Sequence, residues 1–149
     1  MAHQPAIDET FKQLRLNTAY VLSINGFLNI LEVTAGFGNF MTYMIFGVTS
    51  KSQHFLYACS FGYSLNGTYM LISGLFSLYF AELLPVTTLY KLFQVSAMSM
   101  YLLGSLAVLT YDLPSMPDVF CGMAAGLFIG LMHMVHLIYL ITTAPSTTF

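Results

Sequence analysis

The sequence predicts an all-α fold: an integral membrane four-helix bundle with short loops and both termini in the cytoplasm. Two observations carry this expectation. Only 7% of the 149 residues are charged while 57% are hydrophobic, against about 25% charged in an ordinary soluble domain. Four apolar runs recur between short polar stretches, each of at least the roughly 20 residues that a spanning helix needs. Strands fit poorly, because a transmembrane barrel uses about 10-residue segments of alternating polarity.

The elements follow in order. Residues 1–17, MAHQPAIDETFKQLRLN, form a polar N-terminal arm. It has no apolar core and its acids precede its basic residues, so it does not read as a cleavable signal peptide. The membrane domain covers residues 18–141. Its first run extends from about Thr18 to Phe46 and its second from about Phe55 to Phe80. The third extends from Leu89 to Thr110 and the fourth from Val119 to Ile141. Asp118 reads as an N-cap for the fourth. Residues 142–149 form a short C-terminal tail. Lys12, Arg15 and Lys91 fall on one side of this arrangement and Lys51 on the other, which places both termini inside. The net charge of −2 is too small and too dispersed for a nucleic-acid partner.

The first run carries a polar stripe. Asn25, Asn29, Glu32 and Gly36 are spaced by four, three and four residues, which lines them along one helix face. Unpaired polar groups in hydrocarbon cost several kcal/mol each, so this face is expected to meet other helices. The fourth run supplies a counterpart. Gly122, Gly126 and Gly130 in GMAAGLFIG permit close backbone approach. His133 extends that face and His136 follows one turn later. A contact between the first and fourth helices through the glycines is expected to let Glu32, Asn29 and His133 satisfy one another. The alternative is a proton relay or ion site at the same carboxylate and imidazoles. Haem ligation fits poorly, since histidines three apart on one helix splay by about 60° and no other run contains histidine.

These residues resemble the MAL/MARVEL tetraspan family. The resemblance rests on LNILEVTAGFGNF in the first run, with Glu32 followed by Gly36. It continues through VSAMSMYLLGSLAVLT in the third and AAGLFIGLMHMVHLIYLI in the fourth, with His136 near the inner end. It spans about Leu16 to Ile141. The chain departs from the family in lacking a basic cluster after the fourth run and paired cysteines in an outer loop. The resemblance implies a non-catalytic membrane organiser in vesicle trafficking, membrane apposition or cell contact, at the plasma or a vesicle membrane. Its implied partners are lipids and other membrane proteins or further copies of itself.

Other features carry smaller expectations. Cys59 and Cys121 read as buried free thiols, with a bridge between the second and fourth helices as the alternative. Asn66-Gly67-Thr68 matches a glycosylation acceptor but falls inside the second run, so it reads as packing material beside Ser60, Ser64 and Gly74. At the C-terminus, Thr147 and Phe149 fit capture by a PDZ-type cytoplasmic partner. No enzyme, cofactor or metal is expected, because no nucleophile set, phosphate loop or metal cluster appears. Besides the organiser, two functions remain: a small transporter or proton-conducting subunit using Glu32 and His133, and an accessory subunit of a larger membrane complex.

Overall fold

The computed structural model describes residues 16–112 and 117–143. The expected arm, the capping role of the Asp118 side chain, and Thr147 and Phe149 fall outside what it describes. The described chain is helical, with α1 at Thr18–Leu22, α2 at Ile24–Phe46, α3 at Lys51–Phe76 and α4 at Leu78–Leu83. A 3₁₀ turn at Leu84–Val86 leads into α5 at Thr88–Tyr111, and α6 follows at Pro117–Thr143. Among these helices, α5 and α6 are long and apolar enough to cross a membrane. By contrast, α2 and α3 fall below that hydropathy, although all four runs were expected to qualify. The physical reason is where their polar residues point. Asn25, Asn29, Glu32 and Asn39 of α2 are buried, as are Gln53, Ser60 and Ser64 of α3. Their polarity faces the bundle, while Phe27, Met44, Phe61 and Ile72 face outward.

Serine caps cut two of the apolar runs. Ser23 is extended, and its Oγ donates to the Tyr20 carbonyl at 2.6 Å and accepts from Gly26 N at 3.0 Å. The corner between α1 and α2 is tight enough that a Cβ on Gly26 would overlap the Tyr20 carbonyl. Ser77 caps α4 in the same way, accepting from Phe80 N at 3.2 Å. Ser50 caps α3 through Gln53 N at 3.1 Å, so that helix starts at Lys51 and ends at Phe76 instead of covering Phe55–Phe80. The bounds of α6 put Asp118 inside its first turn, behind Pro117, where proline's fixed φ and missing N–H are tolerated.

The four long helices form a closed ring. Helix α2 packs on α3 and α6, and α5 packs on α3 and α6. Tyr43 meets Gly122 at one end of the α2–α6 pair and Asn25 meets His136 at the other, so the two run in opposite directions. Two apolar clusters fill the ring. Tyr43, Leu56, Tyr101, Val108 and Ile129 pack toward one end, and Leu84, Tyr90 and Leu140 toward the other.

The glycines of α6 are shared between neighbours. Gly122 receives the Tyr43 ring of α2, but Gly126 faces Ser105 of α5 and Leu56 of α3, and Gly130 faces Leu102 of α5. Of the glycines expected to meet the first helix, Gly122 does so, while Gly126 and Gly130 turn toward α5 and α3. Gly36 of α2 receives Ser64 and the Tyr101 hydroxyl. A Cβ at Gly122 would lie 2.6 Å from the Tyr43 ring, so Gly122→Ala is expected to destabilise by about 1–3 kcal/mol. Gly38 has open space where its Cβ would stand, so Gly38→Ala is expected to stabilise by up to about 1 kcal/mol through helix propensity. Thermal unfolding of both variants in detergent checks the contrast.

Candidate functional site

Between the two apolar clusters lies a polar layer drawn from three helices. Helix α2 supplies Asn25 and Glu32, α5 supplies Gln94, and α6 supplies His133 and His136. All five side chains are buried, with Gln94 and His136 fully enclosed. The periodicity of each helix explains the convergence. On α2 the residues recur every three or four positions on the inward face, and on α6 His133 and His136 are three apart, one turn along the same side.

Glu32 is the hub. Its Oε1 lies 2.8 Å from His136 Nδ1 and 3.4 Å from His133 Nδ1. Its Oε2 accepts from Gln94 Nε2 at 3.2 Å. The Gln94 amide reaches both imidazoles, with Oε1 on His133 Nδ1 and Nε2 at 3.1 Å from His136 Nδ1. The far nitrogen of His136 lies 2.6 Å from Asn25 Oδ1. Two tyrosines close the layer: Tyr101 stacks on His133 with centroids 5.8 Å apart, and Tyr90 meets His136 edge-on at 5.6 Å.

The structure brings Glu32, His133, His136 and Asn25 together and leaves Asn29 out. Asn29 instead donates from Nδ2 to the Tyr20 hydroxyl at 3.2 Å, tying α2 to α1. The expected Glu32–Asn29–His133 triangle is thus replaced by a Glu32–Gln94–histidine network. Gln94 was missed in the sequence, although it is the lone amide in its apolar run and its presence there had no other explanation. Asn39 was missed too. It lies three residues beyond Gly36, extends the stripe and donates to Ser60 Oγ at 3.0 Å.

A narrow crevice beside the hub is lined by Asn29, Glu32, Ser64, Tyr101 and His133, and it has no room for a water molecule. Among the described residues, no three His, Cys, Asp or Glu side chains are arranged to hold a metal ion. Cys59 and Cys121 are both free thiols. Cys121 is exposed and Cys59 half-buried, which corrects the expectation that both are buried. Asn66 is also exposed and bonds only its own helix, at Gly62 O, 2.8 Å away. Ser60, Ser64, Gly67 and Gly74 do pack inside.

No protein-family model, curated protein or solved structure matches this chain. The site is therefore defined by its own geometry. Replacing Gln94 by Leu removes the partner of Glu32 Oε2 and of His133 Nδ1 while keeping volume. A loss of about 1–3 kcal/mol is expected for each group left unsatisfied, measured as a lower midpoint of unfolding. Asn66→Ala, on the outer surface, should leave that midpoint unchanged.

Proposed function

We propose that the chain is a four-span membrane protein of the MAL/MARVEL kind, a non-catalytic organiser that acts by associating with lipids and other membrane proteins. The observation that carries this reading is the contrast between its two sets of polar side chains. Several inward-facing ones bond across helices, as Asn39 does to Ser60 and Glu32 to Gln94 and His136. Outward-facing ones bond their own backbone: Thr34 to Ile30 O, Thr42 to Gly38 O, Ser99 to Val95 O and Thr110 to Leu106 O, all within 3.0 Å. Such back-bonding satisfies a hydroxyl without water, which suits a helix bathed in lipid. Large apolar side chains are exposed on all four long helices, among them Met44, Phe61, Leu103 and Phe128. A soluble monomer rarely exposes apolar surface so continuously. At about 1.5 Å per residue, helices of 23 and 26 residues match a hydrocarbon core about 30 Å thick.

Glu32 then serves as an internal fastening, and the waterless crevice beside it supports fastening over conduction. Outward function falls to the apolar faces and to the tail carrying Thr147 and Phe149. Two experiments test the reading. Single cysteines at Thr49 and Tyr111 should react with an impermeant reagent from outside intact cells, and a cysteine at Thr87 only after the membrane is opened. Labelling of Thr49 and Thr87 from the same side would remove the four-span topology. Purification from native membranes in mild detergent should yield membrane-protein partners or a homo-oligomer, and liposomes carrying the chain should show no proton flux. A flux that Glu32→Gln abolishes would instead establish the transporter.

A further inference from the structure

With the amides oriented as they stand, the distances in the polar layer indicate where protons sit. Asn25 Oδ1 can only accept, so His136 Nε2, 2.6 Å away, must carry a hydrogen. Gln94 donates from Nε2 to Glu32 Oε2, which leaves its Oε1 to accept from His133 Nδ1. His133 is then accounted for by one hydrogen on Nδ1. His136 Nδ1 and Glu32 Oε1 lie 2.8 Å apart, with Gln94 Nε2 also 3.1 Å from that nitrogen. Two bare lone pairs do not approach that closely, so a hydrogen lies between them. With Nε2 already protonated, that hydrogen is one more than a carboxylate and a neutral imidazole possess.

We propose that Glu32 and His136 form a buried proton-binding site, holding one proton between Glu32 Oε1 and His136 Nδ1. With the proton on nitrogen the pair is imidazolium and carboxylate; with it on oxygen the pair is neutral. Either way the layer as a whole carries no net charge. That balance matters because an uncompensated buried ion costs several kcal/mol. In the orientation present, Asn25 Nδ2 has no partner, and inverting the amide would let it donate to His136 Nε2 and remove the extra proton. The result would be Glu32 as an enclosed anion facing two neutral imidazoles, the costlier arrangement. Other cations do not relieve it: among the described residues, the ion-pair partners of Glu32 are the two histidines alone. The remaining titratable groups around the layer are phenols, Tyr20 from α1, Tyr63 from α3, and Tyr90 and Tyr101 from α5. None of them supplies positive charge. The site goes beyond the organiser reading, since it stands on the bundle interior whatever surrounds the bundle.

The test is nitrogen-15 NMR of histidine-labelled full chain in lipid bilayers at about pH 8, where free histidine is mostly neutral. The expected spectrum has His133 protonated at Nδ1 alone. His136 should be protonated at Nε2, with a strongly hydrogen-bonded proton shared at Nδ1. A bare Nε2 on His136 would overturn the proposal, and this holds in the wild-type chain without any variant. The Glu32→Gln chain gives a second measurement. Its amide can donate to His136 Nδ1, leaving an ordinary neutral ring. Calorimetric unfolding in buffers of differing ionisation enthalpy should then show the wild type releasing about one proton more than the variant. Equal release would also sink the proposal.

Discussion

A carboxylate enclosed at the centre of a helical bundle constrains everything around it. Glu32 is 4% exposed, and a charge so placed is tolerated only if its partners are held to hydrogen-bond distance from several directions. Here those partners come from α5 and α6, so the position of Glu32 ties together the relative rotation of three helices. The glycines follow from that requirement. With Gly36, Gly122, Gly126 and Gly130 in place, Tyr43, Leu56 and Tyr101 can lie across the interior while the helices remain close enough for the polar layer to close. A bulkier residue at those points would widen the ring and stretch the bonds to Glu32.

Two solutions to the same problem coexist in this fold. Some polar side chains pointing inward find one another across distant sequence, as Asn39 does with Ser60 and Asn25 with His136. Those pointing outward reach back one turn. The second solution adds no tertiary contact, and it is used on every long helix. Aromatic rings mediate between the regimes. Tyr90 and Tyr101 each contribute a ring face or edge to a histidine and join one of the two apolar clusters.

Much of this architecture was legible in the sequence, for a physical reason. The stripe Asn25, Asn29, Glu32, Gly36 has the period of a helix face, and all four residues are buried. The ends of the third and fourth runs were legible to within two residues, because apolar length marks them. What escaped notice had no local signature. Gln94 stands alone in its run, so neither periodicity nor spacing linked it to Glu32, 62 positions earlier. The breaks at Ser23 and Ser77 lie within apolar stretches, where a serine cap produces no contrast in hydropathy. The diversion of Asn29 to Tyr20 depends on the α1–α2 corner, which is a matter of backbone geometry. Averaged hydropathy puts α2 and α3 below α5 and α6, because it merges their buried polar face with the apolar one.

The sequence distance closed by the Glu32–His136 contact is 104 residues. Ribosomes add about 5–20 residues per second, so Glu32 exists for roughly 5–20 s before its imidazole partner has been made. Gln94 arrives earlier but offers an amide and no charge. During biosynthesis, then, the first long helix carries a carboxylate before His133 and His136 exist to meet it. Water, a bound proton or another protein must stabilise it through that interval. The last helix is thus a closing piece: its arrival removes the chain's dependence on whatever held Glu32 until then.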